Sequence, residues 1–200
     1  MAQQQLVVDE LIGDARRTTG LERFDSDSFR EGLEIFVADV NRSQPPQTAI
    51  ERLRGAVVGA LAGRLKTTAY LEQRPELLQR PIERPVFVFG IPRTGTTLLS
   101  NLLAADPALR SLPYWEAQEP LPPPGEEGTV EPRRQRTGEA LNISNTLMPY
   151  FPLMHEMTID HIHEDIGLMV QDFASGFFTT LTHLPRWSDY LRDNDQTPGY

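Results

Sequence analysis

Pro85-Val-Phe-Val-Phe-Gly-Ile-Pro-Arg-Thr-Gly-Thr-Thr-Leu-Leu99 carries the pattern on which the fold turns. Val86–Phe89 is a short run of β-branched and aromatic residues bounded by proline and glycine, and it predicts a buried strand. After the glycines, Thr97 to Ala105 places Leu98, Leu99, Leu102 and Leu103 at helical spacing, which predicts a helix with its apolar face turned onto a sheet until Asp106-Pro107 stops it. Strand, glycine loop and helix open a βαβ unit, so the expected class is α/β with a parallel sheet. In the loop between them, Gly90 to Thr97, successive backbone N–H groups can face an anion at a helix N-terminus, where the helix dipole adds a favourable field.

The loop copies the Walker A spacing, with four residues between its two glycines, but Thr96 stands where that motif has its lysine. Walker A uses the lysine on the β- and γ-phosphates, so its loss weakens an ATPase or GTPase reading. A cation is supplied instead from within the loop, by Arg93.

Taken whole, the stretch from Pro85 to Leu99 resembles the 5′-phosphosulfate-binding loop of PAPS-dependent sulfotransferases. In that family a basic residue follows the proline, then come a small hydroxyl residue, a glycine and two hydroxyl residues; here these are Arg93, Thr94, Gly95, Thr96 and Thr97. The likeness to the bacterial branch extends to Thr19-Gly20-Leu21, Phe29-Arg-Glu-Gly-Leu33 and Tyr114-Trp-Glu116. It implies a P-loop NTPase-like fold and sulfuryl transfer from PAPS to a hydroxyl or amine, with no metal. Gly90, Pro92, Arg93, Thr94, Gly95, Thr96 and Thr97 would bind the donor. Negative charge gathers on the bridging oxygen as the bond to sulfur breaks, and the permanent charge and several donors of Arg93 suit that leaving group without a proton transfer.

Two residues compete to be the base that takes the acceptor's proton. Glu116 follows Tyr114-Trp115 soon after the loop helix, placed comparably to a glutamate of relatives that act on sugars. His155 lies in the apolar run Tyr150-Phe-Pro-Leu-Met-His155, and other branches of the family use a downstream histidine whose ordinary pKa suits the task. The family's arginine and serine for the 3′-phosphate have no counterpart here. The acceptor stays open among small molecules, glycans and lipids, and the oligomeric state is open too. The rivals are a P-loop kinase with a degenerate Walker motif, which would need magnesium and ATP, and a nucleotide-binding module without catalysis.

Towards the N-terminus, Leu6, Val7, Leu11, Ile12 and Ala15 predict a helix from Gln3 to Arg17 stopped by Gly20. A second helix, capped by Asp27 or Ser28, would carry Phe29, Leu33, Phe36, Val37 and Val40 before Pro45-Pro46. A third, capped by Thr48, would carry Leu53, Val57, Leu61, Leu65 and Ala69. Residues 1–80 are thus expected as a helical region and 81–200 as the first part of the sulfotransferase domain, with a helical insertion on the acceptor side. Leu121 to Gly128 reads as a surface loop, and Asn142–Met154 and Glu164–Leu184 as mainly helical, broken at Pro149, Pro152 and Pro185. Val86–Phe89 is the single convincing core strand, and an unpaired strand cannot satisfy its backbone. The sheet is therefore expected to be incomplete here, the natural protein to continue past Tyr200, and this chain alone to be inactive and marginally folded.

Bulk composition narrows the partners. With 28 acidic against 19 basic residues in 200, the net charge of −9 disfavours nucleic acid. The absence of cysteine fits a reducing cytoplasm, and no run is long and apolar enough for a signal peptide or transmembrane span. Histidines and carboxylates cluster between His155 and Asp165, but His155 and His161 are six apart, off the spacing that puts two ligands on one helix face; Asp160 to Asp165 reads instead as a helix start. Arg133-Arg-Gln-Arg136, after Pro132, reads as a solvated helix start, with a secondary reading as a patch that steers an anionic nucleotide.

Overall fold

The structure, a computed structural model, describes residues 5–91, 94–154 and 157–193, the side chain of Met154 excepted. Its helices are α1 (Val8–Thr19), α2 (Phe29–Ser43), α3 (Gln47–Glu72), α4 (Thr96–Ala104), α5 (Tyr114–Gln118), α6 (Glu131–Leu147), α7 (Phe151–Met154), α8 (Ile166–Met169) and α9 (Pro185–Asp193). They form two compact units, Met1–Arg80 with Leu168–Tyr200, and Pro81–Gly167.

The first unit is a helical core. α1 carries Asp9 and Glu10 in its first turn and Arg16 and Arg17 in its last, matching the macrodipole, and ends on Gly20 at φ 68° with its N–H on Arg16 O at 2.8 Å. The helix starts later than the apolar spacing predicts. Leu6 is buried ahead of it, held because Asn41 Oδ1 accepts its N–H at 2.9 Å and Asn41 Nδ2 donates to its carbonyl at 2.8 Å. The apolar stripe of α2 is buried as expected. Its predicted side-chain cap is not formed, because Ser28 Oγ accepts from Arg64 Nη2 at 2.9 Å instead. α3 starts at Gln47 behind Pro46, which leaves Thr48 inside the first turn.

Residues 168–193 return to this core. Phe173 and Phe178 stack at 5.1 Å, and Trp187 meets Phe36 and Phe178 edge-on. The backbone of Phe173 presses so close to α2 that a Cβ on Gly32 would lie 2.0 Å from Phe173 O, so only glycine fits there. Glu164–Leu184, expected to be mainly helical, carries α8 and two 3₁₀ turns, Val170–Asp172 and Gly176–Thr180. Phe173 turns left-handed at φ 50° and Ser175 Oγ accepts the Phe177 N–H at 3.2 Å, two local choices that end the helix.

Arg64, 5% exposed, gathers this unit's polar groups. It donates to both carboxylate oxygens of Asp25 at 2.8 and 2.9 Å, to Ser26 Oγ at 3.0 Å, to Ser28 Oγ and to Asp172, with its guanidinium 5.1 Å over the Phe29 ring.

In the second unit, α6 begins eleven residues before the predicted Asn142, with Pro132 in its first turn, and α7 follows across Pro149. The buried strand expected at Val86–Phe89 is not formed. Phe87 is 80% and Phe89 90% exposed, and the described residues contain one isolated antiparallel bridge, Pro113 with Ile162, and no strand. A ladder needs a partner, and none of the described residues offers one to this run. For the same reason Leu98 and Leu102 of α4 are exposed, rather than turned onto a sheet.

Candidate functional site

The loop after Phe89 is shaped by its glycines. A Cβ on Gly90 would lie 3.0 Å from both Thr94 Oγ1 and Thr96 Cγ2, so the loop curls back over its first residue. Thr94 Oγ1 closes the curl by donating to Ile91 O at 2.6 Å. Gly95 takes φ 97° as the residue before α4, a conformation that favours glycine. Leu99 N–H reaches Gly95 O at 3.0 Å, which starts the helical ladder, so the N–H groups of Thr96 and Thr97 lie at the open, positive end of α4. Asn101 Nδ2 donates to Thr97 O at 2.8 Å. Pro92 and Arg93 lie outside the described residues, as does His155.

Glu116 sits in the first turn of α5. The start of α5 is fixed by an antiparallel pairing: Tyr114 N–H donates to His161 O at 2.8 Å, Trp115 N–H to Ile159 O at 3.0 Å, and His163 N–H to Leu112 O at 2.8 Å. The Glu116 carboxylate accepts from Arg110 Nη2 at 2.5 Å. Arg110 carries no periodic signature in the sequence; its place six residues before Glu116 was the one available hint. Tyr114 packs edge-on against His163 at 5.0 Å, and burial pushes its hydroxyl pKa up. His161 and His163 share this extended segment with rings 6.4 Å apart, and the described residues hold no cluster of three or more metal-ligating side chains. The run before His155 is no buried wall: Tyr150 is 75% and Leu153 82% exposed.

Of the arginines after Pro132, Arg133 leaves solvent, Arg134 is half-buried and Arg136 stays exposed. Arg133 is buried, its guanidinium 4.8 Å over the Trp115 ring. Arg134 binds Asp160, and Arg136 binds Glu119 at 2.9 Å and Glu126 at 2.7 Å. Hydrogen bonding from Arg136 holds the Glu126 carboxyl below its usual range. Each arginine is matched by local acceptors, which leaves little unbalanced charge to steer an anion.

The sequence profile described as the sulfotransferase family matches residues 85–200. The chain belongs to the sulfotransferase family. Two solved sulfotransferases share its fold. STF1 from Mycobacterium tuberculosis H37Rv is 32% identical with a TM-score of 0.84, the match covering 100% of this chain and 56% of that one. STF9 from Mycobacterium avium is 33% identical with a TM-score of 0.82, over 99% of this chain and 52% of that one. The chain therefore spans about half the length of these sulfotransferases. No curated protein matches it. Among the described residues, no helix is long and apolar enough to cross a membrane.

Proposed function

We propose that this chain carries the donor loop and acceptor base of an enzyme that moves a sulfuryl group from PAPS to a hydroxyl or amine acceptor, without a metal. The observation that carries the reading is the Gly90–Thr97 loop, where a Cβ on Gly90 would crowd Thr94 and Thr96 and Gly95 opens α4 at φ 97°. A tight curl that ends at a helix N-terminus suits a phosphate, so the residues present fit this donor. Bound there, PAPS would supply an activated sulfuryl group whose departure leaves negative charge on the bridging oxygen.

In this reading the N–H groups and hydroxyls of Thr96 and Thr97 hold the 5′-phosphate, Thr94 keeps the loop closed, and Gly90 and Pro92 shape its backbone. Arg93 donates to the bridging oxygen and stabilises the leaving charge. Of the two candidate bases we take Glu116, whose carboxylate is held in place by a hydrogen bond from Arg110. Residues from 81 onward form the opening of the donor-binding domain, with Val86–Phe89 entering a parallel P-loop sheet, and residues 1–80 form its helical companion. A cytosolic setting agrees with the cysteine-free sequence.

Calorimetry of the full-length protein with PAP, PAPS and ATP, each with and without magnesium, tests the donor. PAP and PAPS should bind equally well in either condition. Binding of ATP alone, and only with magnesium, would replace this reading with that of a P-loop kinase.

A further inference from the structure

A helix of five residues has too few internal hydrogen bonds to hold its own place, so α5 takes its orientation from its surroundings. One end is set by the pairing with residues 159–163. Arg133 from α6 reaches both ends: it donates Nη1 to Glu119 O at 3.0 Å, with Pro120 O at 3.4 Å, just past the last residue of α5, and lays its guanidinium over Trp115 near the first. Arg133 is 7% exposed, so a permanent charge has been taken out of water and compensated by these carbonyls and that ring. In sequence Glu116 lies between Trp115, whose ring Arg133 covers, and Glu119 and Pro120, whose carbonyls it grips.

We infer that Arg133 is a positioning residue for Glu116, stapling both ends of α5 to α6 and so setting the direction in which the carboxylate points. This rests on the reading of Glu116 as the base. Arg110 grips the carboxylate itself, so it fixes the side chain while Arg133 fixes the helix that bears it. The neighbouring arginines belong to the same brace. Arg134 ties α6 to Asp160, within the segment that pairs with α5, and Arg136 ties it to Glu119, the residue that follows α5. A displacement of about 1 Å in a reacting group can cost on the order of 100-fold in rate, which sets the scale of the effect.

The test compares Arg133→Met, Arg133→Lys and Glu116→Gln in the full-length protein labelled with 5-fluorotryptophan, the Trp115 and Trp187 resonances being assigned by single Trp→Phe substitutions. Arg133→Met should move the Trp115 resonance and the Glu116 amide while leaving Trp187 in place. It should lower kcat about 10- to 100-fold with KM for the donor within about two-fold, and Arg133→Lys should recover part of the loss. The inference is overturned if the Glu116 amide is unmoved in Arg133→Met, or if that variant keeps its kcat while Glu116→Gln loses turnover. Should Glu116→Gln itself turn over normally, the assignment of the base fails instead, and the positioning role with it, whereas donor binding at the loop stands.

Discussion

Asp39 Oδ2 accepts the backbone N–H of Trp187 at 3.0 Å and that of Arg186 at 2.8 Å, so a carboxylate in the middle of α2 caps the first turn of α9. Asp39 is 2% exposed, and an anion at a helix N-terminus both satisfies open donors and complements the dipole. Asp39→Ala should cost about 2 kcal/mol in a denaturant melt, and Asp39→Asn, which keeps an acceptor, about half that. Equal stability of the alanine variant would show that water replaces the cap without loss.

Gly32 gives a sharper steric case. With Phe173 O where it is, Gly32→Ala must push apart α2 and the returning segment, at a cost of about 3 kcal/mol or more. Gly59 has open space around it, so Gly59→Ala should be neutral or slightly stabilising in the same thermal melt.

Replacing Arg64 by methionine would leave Asp25, Asp172 and two serines without their common donor. Both carboxylates can reach water, at 55% and 42% exposure, so the expected loss is about 2–3 kcal/mol rather than that of a fully buried pair. Arg64→Lys, with one point charge in place of a planar fork, should recover less than half of it.

Asp14 predicts a pH dependence. Burial pushes its pKa up, but hydrogen bonds from Arg54 and Arg17 outweigh this and hold it below the ordinary value of 3.8. A carboxyl depressed in the folded state binds its proton more readily when unfolded, so its stabilisation is present above pH 3.8 and fades as pH falls through the lower folded value. Asp14→Asn should melt about 2–4 °C lower at neutral pH, with the gap to the parent narrowing in acid. A gap that does not change with pH would assign the effect to packing.

At the loop, Gly90→Val puts carbon where Thr94 Oγ1 and Thr96 Cγ2 now approach. PAP affinity by calorimetry should fall at least about ten-fold, whereas the melting temperature should hardly move, because this segment is exposed.

How far the sequence could be read follows from the range of the forces involved. The stripes of α1, α2 and α3 were legible because burial on one helix face repeats every few residues, as Leu33, Phe36 and Val40 do. The glycine loop was legible because φ 97° at Gly95 leaves few alternatives to glycine. Arg133 was misread as solvated since nothing local marks an arginine that will stack on a ring eighteen residues away. At Ser28 the start of α2 was read correctly and only its side-chain cap was lost, to a distant arginine, whereas the break at Phe173 was missed because a left-handed turn at a phenylalanine has no sequence signal. Val86–Phe89 has the composition of a strand, but a strand is a property of two segments, and composition describes one.

The first unit is assembled from both ends of the chain, with residues 81–167 emerging between its halves. At a synthesis rate of about 5–20 residues per second, Phe29 and Phe36 wait roughly 7–32 s on the ribosome before Phe173, Phe178 and Trp187 arrive to cover them. During that interval the nascent helices offer bare aromatic faces to any chaperone within reach.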